Sequence, residues 1–222
     1  MYYNVKQINT PFQPDSGFDC FPWNQSNEDR IGYFHPQSSD HRPEIRFKML
    51  YDSENIFVRF LVCDRYVRSV NIEYQGPVCK DSCVEFFVQP FKDKGYFNFE
   101  INAGGHLLLF YIRDHTRMPQ GGFAEMTRIP FEDARKINIW HSLPSKVDPE
   151  ITGFCTWGIA YNIPIKLLEK YCGPVGVLKG QCWRGNFFKC GDETSHPHWA
   201  SWSPISRLNF HQPADFGDII FL

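Results

Sequence analysis

Polar side chains that could bind a ligand alternate with core residues along predicted strands. Side chains two apart share a face of a strand, so each of these strands has an apolar side and a more polar side. Carboxylate, amide and guanidinium groups supply the planar, bidentate hydrogen-bond partners that a polyhydroxylated ligand needs. The candidate residues of this kind are Glu85, Glu100, Asn102, Arg184 and Asn186. A solvated outer sheet face is the alternative interpretation, because antiparallel sheets commonly face water on one side.

Two tryptophans in the predicted loop 190–215 are candidates for the flat rings on which such a ligand could stack. They are Trp199 and Trp202. A tryptophan is also a large unit of apolar burial, so both could instead anchor the loop to the core.

The Glu85 and Glu100 pair could also be catalytic. A glycosidase needs one protonated and one ionised carboxyl, roughly 5–9.5 Å apart. Paired acids on a sheet are more often hydrogen-bonded scaffolding, so we predict a binding protein and keep glycoside hydrolysis as the alternative. The sequence has no Gly-x-Ser-x-Gly elbow for nucleophilic catalysis and no glycine-rich phosphate loop.

Metal and haem sites are further alternatives, but the sequence has no specific motif for either. A zinc site in the long loop would use Cys190, Asp192, His196, His198 and His211, but no Cys-x-x-Cys or His-Glu-x-x-His is present. Calcium is the cofactor we consider, with oxygen ligands drawn from Asp52, Glu54, Asp64 and Asp81. Haem would need Met49 or Met118 together with one of the eight histidines, and no spacing selects a pair.

The elements that must position these residues are strands. Alternating apolar residues predict one hairpin in 44–64 and a three-stranded meander in 83–112, with further strands near 137–141, 154–162, 183–189 and 216–222. Only 164–171 has the pattern of a helix. Residues 1–43 are rich in proline and predict a wrapping arm with one short strand, anchored by Pro22 and Trp23. We therefore predict an all-β, antiparallel β-sandwich, jelly-roll-like or immunoglobulin-like, with one short helix.

Composition narrows the function further. The 222 residues carry a net charge of −2, so nothing points to nucleic acid or to an anionic membrane. No composition shift divides the chain, so we expect a single domain over 1–222. No signal peptide is visible at the start, so we expect a cytoplasmic protein, with a removed leader as the alternative. The eight cysteines are then expected to be mostly free thiols. The oligomeric state is not indicated.

Several motifs in order resemble the core of the family 9 carbohydrate-binding modules, within the wider DOMON-type β-sandwiches. The motifs are Tyr51-Asp52-x-x-Asn55-Ile56-Phe57-Val58, Asp81-x-x-Val84-Glu85-Phe86-Phe87, Tyr96-x-x-Phe99-Glu100-Ile101-Asn102, Trp183-Arg184-x-Asn186-Phe187, Ser201-Trp202-Ser203-Pro204 and Phe210-His211-x-Pro213-x-x-Phe216-Gly217. Together they span residues 44–222.

The resemblance implies a two-sheet sandwich that holds the end of an oligosaccharide on aromatic rings, often with structural calcium. It implies that Glu85, Glu100 and Asn102 hydrogen-bond sugar hydroxyls and that Trp202 supplies a stacking ring. Family members attached to xylanases have a tryptophan shortly before the Asp-x-x-Val-Glu motif, where this chain has Val78-Cys79-Lys80. One aromatic wall of the family's site is therefore predicted to be absent.

Overall fold

The computed structural model describes all residues, 1–222, and consists mainly of strands. The strands are β1 (Tyr2–Gln7), β2 (Glu28–Ile31), β3 (Tyr33–Phe34), β4 (Glu44–Tyr51), β5 (Asn55–Asp64), β6 (Val67–Ser69), β7 (Cys83–Gln89), β8 (Tyr96–Asn102), β9 (Leu107–Arg117), β10 (Phe123–Arg128), β11 (Ile139–His141), β12 (Val147–Ile151), β13 (Cys155–Pro164), β14 (Cys182–Cys190), β15 (Trp199–Ser201) and β16 (Gly217–Phe221). The helices are α1 (Phe131–Ala134) and α2 (Ile165–Cys172). Neither helix is long and apolar enough to cross a membrane.

The strands form two layers that share β1. The first layer has the order β10-β9-β8-β7-β14-β16-β1, and the second continues as β1-β4-β5-β13-β11. Strand β1 pairs in parallel with both β16 and β4, and the other pairs along this path are antiparallel. The predicted all-β, sandwich-like fold is confirmed, with β1 as a parallel exception to the antiparallel pattern.

The inner faces of the two layers meet in one large apolar core. Phe47 of β4 stacks on Phe187 of β14 with ring centroids 3.8 Å apart, and Phe86 of β7 stacks on the other side of Phe187 at 4.5 Å. These rings are fully buried, and burying apolar surface is the main favourable term in folding. Val84, Phe86 and Val88 of β7 belong to this core, so the face of β7 that carries Glu85 and Phe87 points outward.

The N-terminal arm is more regular than the sequence predicts. Residues 1–43 contain β1, β2 and β3 instead of one short strand. Tyr3 and Val5 of β1 are buried in the core between the layers, so long-range pairing orders a segment whose prolines and glycines suggest a loop. The predicted anchor is confirmed, because Trp23 is fully buried against Phe12.

The predicted loops also contain short elements. The polar segment 113–136 contains the end of β9, all of β10 and the short helix α1. The structure therefore has one short helix more than the sequence predicts. The long loop 190–215 contains β15, which pairs with β14 and β3. The predicted 44–64 hairpin, the 83–112 meander and the helix near 164–171 are present as β4–β5, β7–β8–β9 and α2. All eight cysteines are free.

Candidate functional site

A cleft of about 270 Å³ opens on the outer face of the first layer. Its floor comes from neighbouring strands, which contribute Glu85 of β7 and Glu100 of β8. The rest of the lining comes from β9, β10, β14 and β15, from the segments before β7 and after β14, and from the loop after β15. The residues that give the cleft its chemistry are Glu85, Asn98, Glu100, Arg117, Asp192 and Trp199, beside the aromatic rings of Phe110, Phe123 and Phe210.

The outer face of this sheet is largely covered. Phe87, Phe110 and Phe188 belong to a second apolar cluster on this side of the sheet, and Phe210 of the loop stacks on Phe188 at 4.1 Å. Glu85 and Glu100 are only 2 % and 5 % exposed. The alternative of a solvated polar face is therefore wrong for these two residues, which lie at the bottom of a concave site.

The two carboxyl groups of the floor belong to residues directly opposite each other in the β7–β8 ladder. Burial, together with the charge of Glu100, holds the pKa of Glu85 well above its usual range. Burial likewise raises the pKa of Glu100 to about 7, although Asn98 Nδ2 donates a hydrogen bond of 2.8 Å to its Oε1. Asn98 is held in turn, because its Oδ1 accepts a hydrogen bond from the Phe110 amide. The floor thus presents rigid carboxyl groups that retain protons near neutral pH.

A group of buried thiols lies beside Glu85. Cys83 and Cys190 face each other across β7 and β14, and Cys190 Sγ donates to Glu85 Oε1 at 3.1 Å. The ligand atoms of Cys83, Glu85 and Cys190 lie within 4.8 Å of one another, a set that could hold a thiophilic metal ion. Burial raises the pKa of Cys83 to about 12, so a metal ion would have to displace tightly held protons.

Trp199 is the one tryptophan that lines the cleft. Its side chain is half-buried, and its Nε1 donates a hydrogen bond of 2.7 Å to Asp192 Oδ1. A ring fixed by its own polar atom keeps a defined orientation, which suits stacking against an apolar face of a ligand.

His211 and Arg117 complete one side of the cleft. Burial, together with the charge of Arg117, lowers the pKa of His211 to about 3. Its Nδ1 shares a hydrogen bond of 2.9 Å with the hydroxyl of Tyr96. The guanidinium of Arg117 lies over the ring of Phe123, 4.2 Å from its centroid.

Four of the seven predicted site residues lie outside the cleft. Trp202 is fully buried in the core, where it packs edge-on against Phe47 and Phe187, so it has no free ring face. Asn102 Nδ2 donates to Asp81 Oδ2 at 3.0 Å. The cleft thus brings together Glu85, Glu100 and Trp199, whereas Asn102, Arg184, Asn186 and Trp202 lie outside it.

Arg184 and Asn186 lie on the same face of the sheet as Glu85, but farther along it. Phe188 is the residue of β14 opposite Glu85, so Asn186 is displaced by two residues, or roughly 7 Å. Asn186 Nδ2 donates to Ser203 O, and its Oδ1 accepts from Ser203 N, which ties the covering loop to the sheet. Arg184 donates to the carbonyl of Phe216.

The predicted metal ligands do not converge on one point. His196 stacks on Tyr66 at 3.6 Å, whereas His198 Nε2 accepts a hydrogen bond from Lys189. Only Cys190, Asp192 and His211 of the proposed zinc set line the cleft. Met49, a proposed haem ligand, is fully buried in the core.

Three of the four proposed calcium ligands accept hydrogen bonds from protein donors, and the fourth, Glu54, is exposed. Asp52 Oδ1 accepts from two amides of its own turn, Asp64 contacts His41, and Asp81 Oδ2 accepts from the amides of Val70 and Asn71. These carboxylates therefore act as hydrogen-bond acceptors in separate parts of the fold.

Asn98, Arg117 and the phenylalanines of the cleft are not among the predicted site residues. Asn98 is two residues from Glu100 on the same face of β8, so the alternation already indicated it. Arg117 ends β9, in a segment predicted to be a loop, and its proximity to Phe123 depends on the pairing of β9 with β10.

One known protein family matches most of the chain. The model of carbohydrate-binding family 9 matches residues 23–221. The chain belongs to carbohydrate-binding family 9. No curated protein matches the chain at a significant level.

Solved structures of this family and its relatives have the same fold. A proposed carbohydrate-binding protein from Bacteroides uniformis ATCC 8492 is similar over 100 % of this chain and 99 % of its own, with 30 % identity and a TM-score of 0.84. A family 9 module from Caldicellulosiruptor kristjanssonii, in complex with glucose, has 12 % identity and a TM-score of 0.65 over 100 % of this chain and 96 % of its own. Its complex with cellotriose has 11 % identity and a TM-score of 0.65 over 100 % and 93 %.

Proposed function

We propose that this protein binds carbohydrate and that one sugar ring enters the cleft above Glu85 and Glu100. One observation carries the proposal: half-buried Trp199 lies in the same concave site as buried carboxyl and amide groups. Pyranose rings have apolar faces and polar edges, so one ring can stack on Trp199 while its hydroxyls meet Glu85, Asn98 and Glu100. Membership of carbohydrate-binding family 9 supports this assignment.

The size of the cleft favours a single ring. Its volume of about 270 Å³ is near the lower end of the roughly 300–1,000 Å³ that is usual for ligand sites. The family 9 module of Caldicellulosiruptor kristjanssonii forms complexes with glucose and cellotriose. We therefore propose that this cleft takes the end ring of an oligosaccharide and that the remaining rings extend outward.

The protonation of the floor favours binding over hydrolysis. A glycosidase keeps one carboxyl ionised as a nucleophile or base while the other remains protonated. Here burial raises the pKa of both Glu85 and Glu100, so neither carboxyl has the lowered pKa of a group that is kept ionised. A protonated carboxyl both donates and accepts hydrogen bonds, as does a sugar hydroxyl, which suits recognition.

The proposal is tested by a panel of oligosaccharides with isothermal titration calorimetry. We expect at least one glycan to bind the wild type and to bind Trp199→Ala about 10- to 100-fold more weakly, since truncating an aromatic anchor of a binding site costs on the order of 1–3 kcal/mol. Glu85→Gln should also weaken binding. Trp140→Ala is the matched control, because Trp140 is half-buried like Trp199 but lies in β11 of the other layer.

Two results would count against this function. The absence of binding to any glycan by the folded wild type would refute carbohydrate binding. Turnover of aryl glycosides that disappears in both Glu85→Gln and Glu100→Gln would instead establish the hydrolase alternative.

A further inference from the structure

A second cavity of about 600 Å³ adjoins the sugar cleft. Arg117, Leu208 and Asn209 line both cavities, so the two cavities adjoin at these residues and together make up a groove. The second cavity is also lined by His115, Thr116 and Arg207. A ligand whose end ring occupies the cleft would therefore extend past Arg117 and into the second cavity.

This extension has an unbalanced positive charge. Its six lining residues include Arg117 and Arg207 and no carboxylate. Neither guanidinium has a carboxylate within 4.0 Å, whereas the nearby Arg113 forms an ion pair with Glu125. Both arginines are exposed, so their donors remain free to bind a ligand.

Arg117 is held at the junction of the two cavities. Its guanidinium lies 4.2 Å from the ring centroid of Phe123, which lines the cleft. A guanidinium fixed over an aromatic ring keeps its planar edge available for bidentate contacts with a carboxylate or a sulfate. Arg207 reaches the same cavity from the covering loop, so two elements distant in sequence direct cations into one space.

We propose that the groove recognises an anionic oligosaccharide, in which a ring next to the end ring bears a carboxylate or sulfate ester that binds Arg117 and Arg207. This inference rests on the proposed sugar binding and specifies its substrate class. The end ring itself stays uncharged, since the cleft floor consists of carboxyl groups.

The test compares three matched trisaccharides by calorimetry: cellotriose, cellotriose oxidised to the C6 carboxylate on its middle ring, and cellotriose with a 6-O-sulfate on that ring. The same neutral, carboxylate and sulfate series is built on every neutral oligosaccharide that binds in the wider panel. We expect an anionic member to bind at least about 10-fold tighter than its neutral parent, since a hydrogen bond to a charged group contributes roughly 1.5–3 kcal/mol. The anionic trisaccharide that binds more tightly shows whether the groove recognises a carboxylate or a sulfate ester.

The variants separate this subsite from the cleft. Arg207→Gln should remove much of the affinity that the anionic ligand gains over its neutral parent and leave the neutral ligand unchanged, because Arg207 lines only the second cavity. Arg117→Gln should weaken the anionic ligand as well. Arg135→Gln removes the same charge from an exposed position at the end of α1 and should change neither affinity.

The outcomes are distinguishable. Equal affinity for neutral and anionic ligands, or no effect of Arg207→Gln on the anionic ligand, would overturn the anionic subsite while leaving sugar binding intact. No binding of any neutral or anionic glycan would overturn both proposals. An affinity for the anionic ligand that falls steeply between 50 and 500 mM NaCl, only when Arg207 is present, would support the subsite.

Discussion

Glu85 and Glu100 face each other across the β7–β8 ladder, and both are buried at the floor of the cleft. Two carboxyl groups this close in a low-dielectric site cannot both ionise at ordinary pH. The pair therefore holds at least one proton that the unfolded chain would release, and this links the stability of the fold to pH.

We expect the contribution of Glu100 to the free energy of unfolding to decrease as the pH rises from about 4 to 7. Both states hold the proton of Glu100 below its unfolded pKa of about 4.3. Above that value the unfolded state releases the proton, whereas the folded state retains it up to about pH 7 because burial raises the pKa of Glu100. The folded state then binds more protons, so stability falls with rising pH, by about 1.4 kcal/mol for each unit of pKa difference.

Denaturation of Glu100→Gln at pH 4, 6 and 8 measures this contribution. The variant cannot titrate, so its stability relative to the wild type should rise steadily over this range. Glu132→Gln, at an exposed position in α1, provides the control and should follow the wild type. Parallel pH profiles for the wild type and Glu100→Gln would contradict the buried, protonated carboxyl pair.

The two tryptophans of the covering loop should respond in opposite ways to truncation. Trp202 is fully buried, so Trp202→Ala should destabilise the protein by about 3–5 kcal/mol through loss of apolar burial and the cavity left behind. Trp199 is half-buried at the cleft, so Trp199→Ala should cost less stability and mainly reduce sugar affinity. Thermal unfolding and calorimetry on the same two variants separate these effects, and a larger stability loss in Trp199→Ala would contradict the assignment.

The sequence alone could not show that Trp199 and Trp202 have different roles. Trp199 begins β15, and Ala200 and Trp202 share the opposite, inward face of the chain. Recognising β15 would have predicted Trp202 as core, but a three-residue strand has no pattern of its own and exists because β3 and β14 pair with it. The strands β4, β5, β7 and β8 were predictable since each carries a long alternation of apolar residues.

The candidate site was predictable in its floor and in Trp199, but not in the rest of its lining. The sequence placed Glu85 and Glu100 on one face, which the strand register reproduces. It could not indicate that this face is concave, because the residues that enclose it come from distant segments such as β10 and the 208–211 loop. Asn186 shares the polar face but is displaced along the strand and covered, a distinction that only the β7–β14 register provides.

The thiols beside the floor should be inert in the native protein. The thiolate is the reactive form of cysteine, and burial raises the pKa of Cys83 to about 12 and that of Cys190 well above its usual range. Cys20, Cys63 and Cys182 are exposed. We expect iodoacetamide at pH 8 to alkylate the exposed cysteines first and Cys83 and Cys190 only after denaturation. Peptide mass spectrometry reads out each site, and rapid native alkylation of Cys190 would contradict its burial.

A buried ion pair on the inner side of β14 should contribute strongly to stability. Lys189 and Asp64 have no exposed side-chain surface and lie 3.6 Å apart, and Lys189 Nζ also donates to His198 Nε2 at 2.7 Å. Burial alone would raise the pKa of Asp64, but the charge of Lys189 and the hydrogen bond from His41 outweigh it and hold this pKa below its usual range. The aspartate therefore stabilises the fold above its unfolded pKa of about 3.9, and this contribution is lost as the pH falls below that value.

Asp64→Asn should lower the free energy of unfolding at pH 7 by about 3–5 kcal/mol, because it leaves the ammonium of Lys189 buried without a counter-charge. The double variant Asp64→Leu with Lys189→Met should lose less than the single variant, since it removes both charges. The exposed pair Lys146–Asp148 provides the matched control, and Asp148→Asn should change stability by no more than about 1 kcal/mol. Urea denaturation of the four proteins measures these differences. An Asp64→Asn variant as stable as Asp148→Asn would show that Lys189 does not need this partner, and that the loop carrying His198 is held to the sheet by other contacts.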